Sequence, residues 1–197
     1  PTMNKRENIT GIILAGGKSS RMGRDKGFVR INGEYMIEHV IAAAAPCVTS
    51  LIIIANTDEY KQFGYPVIKD IIPECGPMGV IYTGLLHSST VQNIVVSCDI
   101  PFITPAIISQ LATAPDDSDV VCVSHSGKKE PLCARYRMTC ALKMISFLDA
   151  GNLKMNEFLD SVNTELIYAE NLPGFDSQQL ANINTPGELN LHSVQKI

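Results

Sequence analysis

The sequence predicts an α/β fold: one domain of three layers, α/β/α, built on a mostly parallel, doubly wound sheet. Three observations carry this. Short aliphatic and β-branched runs recur at 9–14, 50–55, 93–97 and 119–123, and such runs form strands covered on both faces. Segments with apolar residues at helical spacing lie between them, so strands alternate with helices. The glycine-bearing and polar segments follow the strands directly, outside the carboxyl ends where such sheets bind ligands.

Taken in order, 9–14 (ITGIIL) is the first buried strand. Residues 28–31 are a short extended piece closed by the tight turn Asn32-Gly33. The span 35–45 carries Met36, Val40 and alanines at helical spacing and stops at Pro46. Residues 50–55 (SLIIIA) form the second strand, followed by polar Asn56, and 66–69 a third, with Asp70 just past its end. A second glycine loop, 74–79, leads into a helix over 80–87 with Leu85 and Leu86 inward. Residues 93–97 (NIVVS) are the fourth strand, and Asp99 follows at once. Pro105 opens a helix to 112, 119–123 and 131–136 read as strands, and 141–150 as a helix with Leu142, Ile145 and Leu148 at its spacing. Residues 154–162 read as a short helix and 166–168 as a strand.

At 197 residues the chain fits one domain, spanning 1–197 with 1–8 as a flexible tail. A net charge of −4 supplies no basic field for nucleic acid. Hydrophobic residues are 45% of the chain, as in a folded protein, yet no apolar run reaches the ~18–20 residues of a membrane span. The polar start is no signal peptide, so the expected location is the cytoplasm. The six cysteines contain no Cys-x-x-Cys pair and the four histidines are scattered, against both a disulfide framework and a zinc site. Cys75 and Cys133 fall in loop-like contexts; Cys98 and Cys122 lie in apolar runs and read as buried.

The chain is organised around residues 14–26, LAGGKSSRMGRDK. Gly16 and Gly17 let the backbone turn and approach a ligand closely, and successive N–H groups in such a turn make an anion site. Arg21 and Lys26 add two positive charges, so the loop suggests phosphate binding. It is not a Walker A loop, because Ile12 stands where the first glycine is required, and adjacent Gly16 and Gly17 exclude the Gly-x-Gly-x-x-Gly fingerprint. Asp99, at the end of an apolar strand, is either a turn cap or a metal ligand. A phosphate loop and a carboxylate at neighbouring strand ends suit a nucleoside triphosphate with Mg²⁺, which takes one or two carboxylates plus phosphate oxygens.

These blocks, together with Gly76-Pro77-Met78-Gly79, Gly84-Leu85, VVSCDIPF, Glu130-Pro131-Leu132-Cys133-Ala134-Arg135-Tyr136 and NINTPGEL, resemble the molybdenum cofactor guanylyltransferase family. The resemblance runs from about Thr10 to Leu189. It implies a Rossmann-like, glycosyltransferase-A-like sheet and transfer of GMP from Mg·GTP to the terminal phosphate of molybdopterin or its molybdenum form, releasing pyrophosphate. It further implies that Leu14, Ala15, Gly16 and Gly17 contact the nucleotide, Lys26 the triphosphate and Asp70 the guanosine, and that Asp99 binds nucleotide and Mg²⁺. Asn56 is the nearest counterpart of an asparagine that members carry after the second strand, while Ile54 stands where some have a polar residue.

Phosphoryl transfer of this kind needs alignment and charge neutralisation, so Arg21, Lys26 and Asp99 are the catalytic candidates. Asp70 accepts from guanine or from the ribose hydroxyls, or serves as a helix or turn cap. Asn182 and Asn184 flank Ile183, share a face, and serve the metal shell, the pterin phosphate or an Asx turn. Arg135 and Arg137 meet an anionic pterin or lie on a solvated face. The expected partners are GTP, molybdopterin, and cofactor-delivery or acceptor molybdoenzyme proteins. The rival readings are cytidylyl transfer to the same pterin, nucleotidyl transfer to a sugar 1-phosphate, and a nucleotide-binding regulator without turnover.

Overall fold

The computed structural model describes residues 8–15 and 25–184. Nine strands and five helices occur among them: β1 Ile9–Leu14, β2 Arg30–Ile31, β3 Glu34–Tyr35, α1 Met36–Ala44, β4 Ser50–Ile54, β5 Val67–Ile68, α2 Gly76–His87, β6 Gln92–Ser97, α3 Pro105–Thr113, β7 Val120–His125, β8 Lys128–Arg137, α4 Cys140–Asp149, α5 Met155–Asp160 and β9 Thr164–Tyr168. Seven strands form one sheet in the order β5-β4-β1-β6-β8-β7-β9. All its neighbours are parallel except those of β8, which runs against β6 and β7. The sheet is therefore mostly parallel, as expected.

Period-two alternation along the strands builds the three layers. Ile13, Ile53, Val96, Val121 and Val123 face α1 and α3, packing with Ile37, Val40, Ile107, Ile108 and Leu111. Their neighbours Ile12, Ile52, Val95, Val120 and Cys122 face the other way, against Met78, Ile81, Leu85, Met144 and Phe158 of α2, α4 and α5. The hairpin β2–β3 turns at Asn32 (φ 51°) and Gly33 (φ 92°), both left-handed as a two-residue hairpin turn requires.

Three local readings change. α2 begins at Gly76 rather than near 80, because Pro77 occupies its first turn, where a missing N–H costs nothing. Leu85 is buried in α2, but Leu86 points away and is 51% exposed. In α4 the buried stripe is Cys140, Ala141 and Met144, which leaves Leu142 76% exposed. No described helix is long and apolar enough to cross a membrane.

Candidate active site

β1 lies between β4 and β6, and the chain fills positions on opposite sides of it before and after α2. The carboxyl end of β1 is thus the switch point at which an open α/β sheet leaves a crevice. Along that edge the sequence candidates fall in spatial order: Asp70 after β5, Asn56 after β4, Ala15 after β1, Asp99 after β6, and the start of reversed β8. Leu14 and Ala15 bury their side chains in opposite core layers, so they offer a ligand backbone only. Gly16, Gly17 and Arg21 lie outside the described residues.

Lys26 leaves the edge on a short 3₁₀ turn, Lys26–Phe28, capped by Asp25, whose Oδ1 accepts from Gly27 N–H at 3.3 Å. That oxygen also accepts from the buried Tyr60 hydroxyl at 2.5 Å. Phe28 stacks on Tyr60 with ring centroids 4.4 Å apart, and a Cβ on Gly27 would stand 2.3 Å from the Tyr60 oxygen, so only glycine fits. Tyr60 and Asp25, which the sequence reading passed over, therefore hold the base of Lys26. Its Nζ donates to Asn184 Oδ1 at 2.6 Å and lies 3.8 Å from Asp99 Oδ2.

Asp99 ties the end of the described chain to this point. Its carbonyl accepts from Ile183 N–H at 2.8 Å, and Ile183 is buried against Ile31 and Met36. Asn182 and Asn184 are thereby brought beside Asp99, and the three line one cavity of about 380 Å³. The carboxylate and two carboxamides provide hard oxygen donors, a set that suits a divalent cation of the magnesium type.

The same cavity takes Pro77 from α2, Met155 from α5, and Glu130 to Cys133 from β8. β8 reaches it through a bulge. Cys122 of β7 pairs with Ala134 but the next residue, Val123, pairs with Glu130, so Pro131, Leu132 and Cys133 are extra on β8. Bulges re-aim side chains and accommodate proline; here the buried Tyr136 hydroxyl fixes the bend by donating to the Pro131 carbonyl at 2.8 Å. Partial burial, reinforced by the Asp99 charge, raises the Glu130 pKa from its ordinary value, against the pull of His125 and Lys128. Cys133 is buried on this strand rather than in a loop, and burial pushes its thiol up. None of the six cysteines is joined in a disulfide.

Asp70 and Asn56 form a second cluster. Asp70 Oδ1 accepts from Ile72 N–H at 3.1 Å and from the Thr83 hydroxyl at 2.9 Å, while Asp70 N–H donates to Asn56 Oδ1 at 3.2 Å. Asp70 is thus a turn former, and these bonds use its Oδ1 and backbone N–H but not its Oδ2. Arg135 requires a correction: it does not reach the acceptor side. It is 1% exposed, and its guanidinium donates to the carbonyls of Leu111 (3.2 Å), Ala114 (2.8 Å) and Pro115 (2.5 Å). These are carbonyls at and just beyond the end of α3, which the helix itself leaves without donors. Arg137 secures the same loop through the carbonyls of Ser118 and Asp116.

Comparison with known proteins agrees with this geometry. The MobA-like NTP transferase domain matches residues 11–164. A probable molybdenum cofactor guanylyltransferase of Flavobacterium johnsoniae is 35% identical over 93% of this chain and 96% of its own. The molybdenum cofactor guanylyltransferase of Yersinia pestis is 34% identical over 93% and 94%. Among solved structures, the molybdopterin-guanine dinucleotide biosynthesis protein A of Archaeoglobus fulgidus superposes with a TM-score of 0.77 at 24% identity, covering 92% and 95% of the two chains. The 2-C-methyl-D-erythritol 4-phosphate cytidylyltransferase of Thermus thermophilus shares the fold at a TM-score of 0.69 and 13% identity, covering 93% and 96%. The chain belongs to the molybdenum cofactor guanylyltransferase family of MobA-like NTP transferases.

Proposed function

We propose that this chain transfers GMP from GTP to the terminal phosphate of molybdopterin, or of its molybdenum form, and releases pyrophosphate. The observation that carries the reading is the junction of Lys26, Asp99 and Asn184 at the switch point of the sheet. A cation and a carboxylate from different strand ends, a carboxamide from the far end of the chain and a cavity beside them suit a triphosphate and a second phosphate meeting in line.

The attacking group is a phosphate oxygen, already anionic at neutral pH, so the chain needs no strong general base. Its work is alignment and charge neutralisation. Lys26, beside Asp99 and Asn184, is assigned to offset charge on the α-phosphate and departing pyrophosphate, and Arg21 is assigned the same role from the sequence. Asp99, helped by Asn182 and Asn184, would hold the divalent cation, Mg²⁺ in this proposal. When bound, that ion supplies Lewis-acid stabilisation of phosphate oxygens. Asp70 and Asn56, on the β4–β5 side, are assigned to the nucleoside.

Thermal unfolding with Mg²⁺ and each of GTP, CTP, ATP and UTP tests this, followed by pyrophosphate release with molybdopterin. A ligand at 100 times its Kd adds ~2.7 kcal/mol, or roughly 5–10 °C in Tm at this size. The expected result is a shift with GTP and acceptor-dependent pyrophosphate release. A shift with CTP or UTP instead overturns guanylyl transfer, and binding without release makes the protein a regulator.

A further inference from the structure

The cavity beside Asp99 carries a second carboxylate that the transfer chemistry does not use. Glu130 lines it on β8, one strand beyond β6, and thus on the opposite side of Asp99 from Asn56 and Asp70. Most of the surrounding wall is apolar, supplied by Pro77, Pro131, Leu132, Met155 and Leu180. Among the described residues the Glu130 carboxylate makes no hydrogen bond and no ion pair. A half-buried carboxylate held out by a pinned bulge, with its oxygens unmatched, is costly unless a ligand supplies donors.

The volume, about 380 Å³, lies within the ~300–1,000 Å³ usual for ligand pockets and suits a bicyclic ring. The ring edge that two carboxylate oxygens match is a ring N–H beside an exocyclic amino group, the edge of a 2-amino-4-oxopyrimidine. Two parallel N–H···O bonds to one carboxylate give orientation as well as affinity. Both guanine and a pterin present that edge. Position decides between them: the nucleoside candidates stand on the β4–β5 side, and Glu130 on the β8 side.

We propose that Glu130 is the specificity residue for the acceptor, its carboxylate accepting from the ring N–H and amino group of a pterin seated in this cavity with its phosphate toward Asp99 and Lys26. The proposal rests on the reading of the acceptor as a pterin phosphate. Its ring recognition can nevertheless be measured apart from turnover.

The test compares wild type with Glu130→Gln by titration with 6-hydroxymethylpterin, with the corresponding lumazine (a keto group replacing the amino group), and with Mg·GTP. Gln offers one acceptor where the edge needs two and sets an N–H₂ against an N–H donor. The pterin Kd should rise about tenfold to a hundredfold, the range for one lost charge-assisted hydrogen bond. Wild type should prefer pterin to lumazine, and the variant should lose that preference. In pyrophosphate release the KM for molybdopterin should rise with the Kd, and the KM for GTP should hold. A variant that binds pterin like wild type overturns the proposal. So does one whose loss falls on GTP, which would place guanine at Glu130. Glu130-dependent pterin binding in a protein that releases no pyrophosphate from GTP supports this proposal while refuting the transfer reading; turnover insensitive to Glu130 does the reverse.

Discussion

Replacing Tyr60 by phenylalanine isolates what holds Lys26. The substitution removes one oxygen: the ring keeps its stack on Phe28 at 4.4 Å, while the 2.5 Å bond to Asp25 Oδ1 is lost. A hydrogen bond to a charged group contributes about 1.5–3 kcal/mol, which at this chain length lowers Tm by roughly 3–12 °C. Among the described residues the Asp25 carboxylate then keeps only its longer bond from Gly27 N–H, 3.3 Å, so the turn presenting Lys26 loosens. The value of kcat/KM for GTP should therefore fall about tenfold, less than the 10²–10³ expected on the order of magnitude for deleting a transition-state donor such as the Lys26 ammonium itself. Pyrophosphate release, measured well below the melting temperature of the variant, reads the functional part. A wild-type Tm refutes the contribution of the bond, and a lowered Tm with unchanged kcat/KM refutes the positioning of Lys26. Gly27→Ala provides an internal check. Its Cβ would stand 2.3 Å from the Tyr60 oxygen, so the substitution should cost less in the Tyr60→Phe background than in wild type, a coupling that independent sites would not show.

Arg135→Ala removes a buried cation that serves three carbonyls around the end of α3; leaving them without donors and opening a cavity should cost about 3–5 kcal/mol. Chemical denaturation reads that loss. A wild-type midpoint with a raised KM for the acceptor would instead return Arg135 to the acceptor side. Glu130 gives a pH signature. Its folded pKa is raised by partial burial and by Asp99, against His125 and Lys128, so the native state binds more protons across the window between its unfolded and folded pKa. Stability contributed by this group is thus lost as pH rises through the window. Glu130→Gln should raise Tm at mildly alkaline pH and leave it unchanged below the ordinary carboxylate range; an equal rise at both would refute the cause.

The strands and the crevice were legible because both follow from short-range rules. Short β-branched runs such as 50–54 suit strands covered on both faces, and the carboxyl ends of parallel strands are where ligands collect. Lys26, Asp99, Asn182 and Asn184 could be picked out before their contacts were known, since each lies at or beside a strand end or in a polar block. Arg135 was misread because alternation places it on an inner face, but its partners are backbone carbonyls 20 to 24 residues away, and such bonds leave no side-chain pattern. Glu130 was quoted within a block and given no role. Only the three-residue bulge, visible as a jump in pairing from Ala134 to Glu130, turns it toward Asp99.

The division of the site along the chain bears on how it works. The family match ends at residue 164, yet Lys26 donates to Asn184, and the bond from Ile183 N–H to the Asp99 carbonyl holds that segment in place. The common nucleotidyltransferase core therefore supplies the cation and the carboxylate, while the segment following it completes the ring of groups around them. Its two carboxamides line the same cavity as Asp99 and Glu130. In the proposed reading, residues 182–184 are thus shared by the phosphate site and the acceptor pocket. On the roles proposed for them, Asp99 at the end of β6 serves the chemistry and Glu130 on the bulge of β8 the choice of acceptor, so substitutions at the two should change different kinetic constants.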